Sequence, residues 1–243
     1  MTALLEIEGL TKRFGGVVAV DRCSFSVPTG TITALVGPNG SGKTTVFNLV
    51  TGYARPDAGL VRLDGDAVRR PHPVRLARRG LTRTFQQARI FPQLTLVENL
   101  AASLQQPWRA IVRRAVSPSE RTRSLELLDE FDLLRLADER AADLSYGQKK
   151  LLEFATVLMA EPRLVLLDEP TAGVNPLLVE TIERRIRELR ERGLTFLVVE
   201  HNMNLVMRLC DPVIVLDHGT KLAEGDPEEV QANPRVLDAY LGA

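Results

Sequence analysis

The chain has 243 residues, enough to bury a full core as one large domain or two small ones. Lysine plus arginine equals aspartate plus glutamate at 31 each, so no global field recruits nucleic acid or an anionic membrane. Cys23 and Cys210 stand far apart without metal-ligand spacing, which reads as reduced core thiols in a cytosolic protein, and the sequence has no secretory leader and no apolar run near the roughly 18 residues of a spanning helix.

Leu4 to Leu10 and Val17 to Phe25 read as short strands separated by Phe14-Gly15-Gly16, an antiparallel lead-in. Pro28-Thr29-Gly30 turns the chain into the apolar run Ile32, Ala34, Leu35, Val36, and the stretch Gly37-Pro38-Asn39-Gly40-Ser41-Gly42-Lys43-Thr44 follows. It meets the phosphate-binding pattern G-x-x-x-x-G-K-[ST] at every fixed position and leads into a helix predicted over Thr45 to Val50. The glycines let successive N–H groups point inward at an anion, and the helix start adds unpaired amides and a positive dipole end. Lys43 is placed to reach the β- and γ-phosphates, and the Thr44 hydroxyl to ligate Mg²⁺.

Gly59 to Leu63 reads as a strand ending at the Asp64-Gly65 turn, Pro73 to Arg79 as a short helix, and Leu81 to Phe85 as a strand that delivers Gln86 and Gln87 into a loop. The arginines crowding 69–89, Arg83 among them, are expected on a solvated face, with a nucleotide or partner surface as the alternative. From Phe91 to Asp143 the pattern is helical, and Ser117-Pro118-Ser119-Glu120 is a capping box. Leu144-Ser145-Tyr146-Gly147-Gln148 precedes a long helix, Lys149 to Ala160, and makes a second helix N-terminus suited to an anion, with a plain helix cap as the alternative.

Leu164 to Leu167 is a short apolar run, as for a strand buried on both faces of a parallel sheet, and it ends in Asp168-Glu169-Pro170. Asn175 caps a helix with Pro176 at its first position and the stripe Leu178, Ile182, Ile186, Leu189. Thr195 to Val199 is another buried strand, ending in Glu200-His201; a strand at Val213 to Leu216 and a helix start at Asp226 follow, leaving no room for a further regulatory domain. In an open α/β sheet ligands bind beyond the carboxyl ends of the strands, so the Gly37 loop, Gln86, Asp168, Glu169 and His201 are expected to meet around one phosphate. Asp168 fits a Mg²⁺-holding carboxylate and Glu169 a group that orients or deprotonates the attacking water, a contribution of about 10²- to 10⁴-fold. His201 is read as a γ-phosphate contact and Gln86 as an amide that both ligates Mg²⁺ and senses that phosphate, while His72 and His218 are read as structural.

The order of a Walker A loop at Gly37 to Thr44, Gln86, a signature segment at Leu144 to Gln148, a Walker B strand at Leu164 to Glu169, and His201 resembles the ATP-binding subunits of ABC transporters across essentially the whole chain. The resemblance implies an α/β fold: a P-loop NTPase core with a parallel sheet flanked by helices, an N-terminal antiparallel β-subdomain and an inserted α-helical subdomain. Residues 1–243 form one nucleotide-binding domain on this reading, with core and β-subdomain at about 1–86 and 162–243 and the helical subdomain at about 87–161. It also implies ATP and Mg²⁺, and a head-to-tail dimer with a second copy or a paralogue.

Phe14 then stacks on adenine; Gly37, Pro38, Asn39, Gly40, Ser41, Gly42, Lys43, Thr44 and Thr45 hold the phosphates; and Ser145, Gly147 and Gln148 come from the other subunit. Thr44, Gln86 and Asp168 hold the metal, and Glu169, His201, Lys43 and Gln86 serve catalysis. Transmembrane permease subunits are the implied partners, reached by peripheral association at the cytoplasmic face of the plasma membrane, with no nucleic acid; Ile90, Phe91 and Leu94 either line the docking groove or pack in the core.

Tyr146 replaces the usual second glycine of the signature, and Asn175 stands where an aspartate commonly lies. The phrases Arg83-Thr84-Phe85-Gln86, Ala172-Gly173-Val174-Asn175-Pro176, Glu200-His201-Asn202-Met203 and Ala239-Tyr240-Leu241-Gly242 are similar to the LivG-type subunit of branched-chain amino-acid importers. Urea importer and lipopolysaccharide-export ATPases share much of this pattern. A soluble ABC protein acting on ribosomes or DNA would need a second nucleotide domain, a coiled-coil insertion or a basic arm, and a P-loop kinase would need an acceptor site.

Overall fold

The buried apolar runs of the sequence become the strands of one six-stranded sheet. In the computed structural model, which describes residues 2–84, 90–104 and 116–241, β3 (Ile32–Val36), β7 (Leu164–Asp168) and β8 (Thr195–Val199) are buried at every position. With β6 (Leu81–Arg83), β9 (Val213–Asp217) and β10 (Thr220–Gly225) the order is β10-β9-β3-β8-β7-β6, parallel except for the antiparallel edge strand β10. A parallel sheet needs cover on both faces, which is why these strands read as continuous hydrophobic runs.

The period of two splits each strand between two cores. Ile32, Ala34, Val36, Val165, Leu167, Phe196 and Val198 face the helical side. Leu35, Leu164, Leu166, Leu197 and Val199 face α1 (Lys43–Val50) and a second, antiparallel sheet. That sheet has the order β2-β1-β4-β5, built from β1 (Ala3–Phe14), β2 (Val17–Pro28), β4 (Ala58–Leu63) and β5 (Asp66–Ala67). The first two strands run further than the sequence pattern suggested and close through a two-residue turn at Gly15-Gly16, with Phe14 paired to Val17.

After α2 (Pro73–Ala77) and β6, the helical stretch holds α3 (Leu96–Ser103), α4 (Pro118–Glu130) and α5 (Tyr146–Leu158). The predicted capping box at Ser117 is present, and Thr95 makes another with Glu98, each fixing where its helix starts. Leu96, Leu100, Leu127, Leu128, Phe131 and Leu152 of this stretch join the same apolar cluster as the sheet. On that face α6 (Pro176–Glu191) follows β7, α7 (Met203–Leu209) follows β8, and α8 (Pro227–Gln231) and α9 (Pro234–Leu241) close the chain. Asn175 caps α6 as expected, its side chain accepting from Leu178 N at 2.9 Å. Among the described residues no helix is long and apolar enough to cross a membrane, and both cysteines are free and buried.

Candidate nucleotide site

The strand order places three chain segments side by side. β3 lies next to β8 and β8 next to β7, so the loop after Val36, the Glu200-His201 corner and the Asp168-Glu169 pair emerge at one edge of the sheet. One cavity of about 210 Å³ is lined by Asn39, Gly40, Gly42, Lys43, Thr44, Thr45, Glu169 and His201, with Ala19 of the antiparallel sheet. Gly37, Pro38 and Ser41 line an adjoining space that also reaches His201.

The loop needs its glycines where neighbouring backbone closes in. A Cβ on Gly37, at φ 149°, would stand 2.1 Å from the Leu216 carbonyl oxygen; one on Gly42, at φ 102°, would stand 2.5 Å from that of Ala19. Gly42 also begins α1 with no side-chain cap, so that helix presents its first amides to the cavity side without a competing hydroxyl or carboxylate. The helix starts at Lys43, two residues earlier than its sequence pattern suggested. Lys43 Nζ donates to the carbonyls of Gly37 at 2.7 Å and Pro38 at 2.8 Å. Burial pushes this ammonium below its ordinary pKa, against the opposing pull of Glu169 and Asp168.

Glu169 and His201 meet directly. His201 Nε2 lies 2.8 Å from Glu169 Oε1, with the imidazole half-exposed and the carboxylate less so. Glu169 adopts φ +49°, a left-handed conformation uncommon outside glycine, and its amide donates to Val199 O at 2.9 Å. Its neighbour Glu200 is buried, and its carboxylate accepts four hydrogen bonds. Oε1 takes the Thr171 amide at 3.0 Å and hydroxyl at 2.6 Å; Oε2 takes the amides of His201 at 3.1 Å and Asn202 at 3.4 Å. This single buried side chain therefore fixes the loop after β7 against the loop after β8. Sequence reasoning read it as a strand end, and only the rarity of an acid immediately after a buried strand signalled more.

Asp168, read from the sequence as a Mg²⁺-holding carboxylate, is ion-paired in the structure. Arg83 Nη2 donates to its Oδ2 at 2.5 Å, while Nη1 donates to Asn48 Oδ1 of α1 at 2.7 Å. The guanidinium carbon also sits 5.3 Å from the Phe47 ring centroid. Both side chains are almost fully buried, so Arg83 is no part of a solvated arginine face. Its charge balances a carboxylate that would otherwise be costly to bury.

The remaining expectations divide. Gln86 lies outside the described residues. Phe14 is exposed at the hairpin tip with Lys12 Nζ 5.4 Å from its ring centroid, and it does not line the phosphate cavity. Ser145 and Gln148, at the start of α5, do not line that cavity and cap one another: Gln148 N donates to Ser145 Oγ at 3.3 Å and Ser145 N to Gln148 Oε1 at 2.9 Å. Gly147 packs so closely on α6 that a Cβ would stand 2.7 Å from Leu178 Cδ2.

Ile90 and Leu94 are partly buried, whereas Phe91 is 57% exposed. Buried Asn99 holds this turn, accepting from Phe91 N at 2.7 Å and donating to the carbonyls of Phe91, Leu94 and Thr95. Among the described residues no group of three or more His, Cys, Asp or Glu side chains forms a metal cage. Thr44 offers a hydroxyl and Asp168, which is not among the residues lining the cavity, a carboxylate, hard oxygen donors of the kind Mg²⁺ shares with substrate phosphates and water.

Known proteins resemble the chain in sequence and in fold. The family model described as ABC transporter matches residues 20–172, and one described as branched-chain amino acid ATP-binding cassette transporter matches residues 220–243. The chain is 40% identical to the high-affinity branched-chain amino acid transport ATP-binding protein BraF of Pseudomonas aeruginosa, with 98% of each covered. A solved ADP conformation of an ATP-binding cassette of an ABC transporter matches all of both chains with a TM-score of 0.91 and 32% identity. A dimeric cassette in a post-hydrolysis state, bound to ADP and Pi, matches with a TM-score of 0.78 and 27% identity over 92% of this chain and 98% of that one.

Proposed function

Because this chain belongs to the ABC transporter family of ATP-binding subunits, we propose that it binds and hydrolyses ATP to drive amino-acid import, branched-chain amino acids foremost, through separate transmembrane permease subunits. The observation that carries this reading is the single cavity in which the phosphate loop, Lys43, Thr44, Glu169 and His201 converge. The amino-acid class is supported by the name of the BraF relative and by the match over residues 220–243.

In this reading the loop amides and Lys43 take the β- and γ-phosphates, the lysine exchanging its contacts with Gly37 and Pro38 for phosphate oxygens. Glu169 orients the attacking water and receives its proton, and His201, already hydrogen-bonded to that carboxylate, contacts the γ-phosphate. Thr44 and Asp168 would hold Mg²⁺, which when bound supplies charge neutralisation for the phosphoryl group. Arg83 orients the Asp168 carboxylate from behind. The self-capped start of α5 does not line this cavity; Ser145 and Gly147 serve the nucleotide of a second subunit, and that subunit's signature completes the site here.

The exposed Phe91, held out by Asn99, is the docking residue for a short cytoplasmic segment of the permease, which brings the chain to the membrane surface through its partner. Phe91→Asp should then fail to pull down the permease subunit while remaining folded.

The test of the central reading is Glu169→Gln. The variant is expected to bind ATP and to lose turnover by about 10²- to 10⁴-fold. Turnover at the wild-type rate would remove Glu169 from its role.

A further inference from the structure

Tyr146 is the signature residue that the nucleotide reading leaves without a task. It is 54% exposed at the start of α5, yet its hydroxyl donates to the Ala172 carbonyl at 3.2 Å, across 26 residues of sequence. Its ring also lies over Gly173, where a Cβ would stand 3.4 Å from the hydroxyl oxygen.

Ala172 is a specific place to hold. Its amide donates back to the Glu169 carbonyl at 3.1 Å, closing the four-residue turn Glu169-Pro170-Thr171-Ala172 with proline second, the position where its fixed φ suits a turn. That turn carries the water-orienting carboxylate in its left-handed conformation. On the other side, Thr171 is bonded twice to Glu200, which also holds the amide of His201. The two residues Thr171 and Ala172 are thus pinned from three directions: by the Glu169 carbonyl, by Glu200 through Thr171, and by Tyr146. The first two lie in the catalytic edge of the sheet, and the third lies beside Ser145.

We propose that the Tyr146 hydroxyl is a latch that couples the two nucleotide sites of the dimer, by fixing the signature end of α5 to the turn that positions Glu169 in the same chain. This rests on the dimer reading above. There Ser145 of one chain faces the partner's nucleotide, while Glu169 and His201 of that chain face its own. When a partner's phosphate draws on the start of α5, the displacement passes through the Tyr146–Ala172 bond to the Glu169 turn and alters the second site. A glycine at this position, as the family commonly has, has no group to make the bond. Tyr146 acts through Ala172 and touches no nucleotide, so it is a positioning residue.

Tyr146→Phe removes the hydroxyl and keeps the ring over Gly173. Initial ATPase rates of the full chain are measured against ATP at saturating Mg²⁺, alongside equilibrium ATP binding and the melting temperature. The expected result is a wild type with a Hill coefficient above one. In the variant the Hill coefficient falls towards one and kcat falls about three- to tenfold, while ATP affinity stays unchanged and the melting temperature drops only by the few degrees that one hydrogen bond is worth. A merely structural role would lower the melting temperature or the affinity and leave kcat and the Hill coefficient at their wild-type values, and that outcome overturns the latch. So does a cooperative wild type whose Tyr146→Phe variant matches it in kcat and Hill coefficient, or an active wild type without cooperativity. A wild-type chain that hydrolyses no ATP overturns the underlying nucleotide reading along with the latch.

Discussion

Two helices of this chain begin with features suited to an anion, and they are built in opposite ways. α1 starts from Gly42, has no side-chain cap, and is wedged between the Ala19 carbonyl of β2 and the core, with Lys43 buried beside it. α5 starts from exposed Ser145 and closes on itself through a reciprocal box with Gln148. The first keeps its terminal amides ready for a ligand at the cost of local helix stability. The second satisfies two of its donors internally and leaves only the amides between them for an external anion. A cradle with a buried lysine suits a tightly held phosphate in one chain, whereas an exposed, self-satisfied terminus suits a contact made only when another molecule arrives.

This contrast is sharpest where each terminus is disabled. Lys43→Ala should weaken ATP binding by about 10- to 100-fold, the scale of a lost charged hydrogen-bonding group, as read by equilibrium binding to the isolated chain. Equal affinity in the variant would break the assignment of the α1 cradle as the primary site. Ser145→Ala should leave that affinity untouched, because Ser145 is not part of the cradle. It removes a helix cap worth about 1 kcal/mol, visible in denaturant unfolding, and lowers hydrolysis. A fall in ATP affinity at low protein concentration would erase the distinction between the termini.

The smallest effect is expected at Glu183, which ties α6 to α7, the helices that follow the Glu169 and His201 corners. Hydrogen bonds from Arg208 and then Arg187, opposed by burial, hold its carboxyl below the ordinary glutamate value of 4.5. A depressed carboxylate stabilises the fold above its unfolded pKa, and the contribution is lost as pH falls below about 4.5 through the lowered folded value. Both arginines are about half-exposed, so solvent screening keeps the contribution to about 1 kcal/mol. Glu183→Gln should therefore unfold more readily than wild type at pH 7 and converge with it in acid. Nucleotide affinity should not change, which separates fold stability from the properties of either terminus.

What could be read from the sequence follows the range of the interactions involved. The phosphate loop, the capping box at Ser117 and the Asn175 cap are local patterns, each complete within a few residues, and all three appear where their residue types demand them. The convergence of Lys43, Glu169 and His201 was legible because buried parallel strands deliver their ends to one edge. Arg83 was not legible, since in a run of arginines nothing local marks the one whose partners, Asn48 and Asp168, lie 35 and 85 residues away. Glu200 was hidden for the same reason, as its partner Thr171 belongs to another strand's loop. Tyr146 stood out as a departure, but its bond to Ala172 depends on how α5 lies against α6, which periodicity does not encode. Asn99 is a different case: its partners are within eight residues, yet a polar residue on an apolar helix face reads as a fault until the turn it holds is seen.

The claim that the α1 cradle is half of a site is tested most directly by the specific ATPase activity of the full chain over a wide range of protein concentration, with Ser145→Arg in parallel. Activity per chain is expected to rise with concentration and level off as dimers form. Ser145→Arg should bind ATP like wild type and remain inactive at every concentration. Activity per chain that stays constant down to monomeric concentrations, or a Ser145→Arg variant that hydrolyses ATP normally, would contradict a site shared between two subunits.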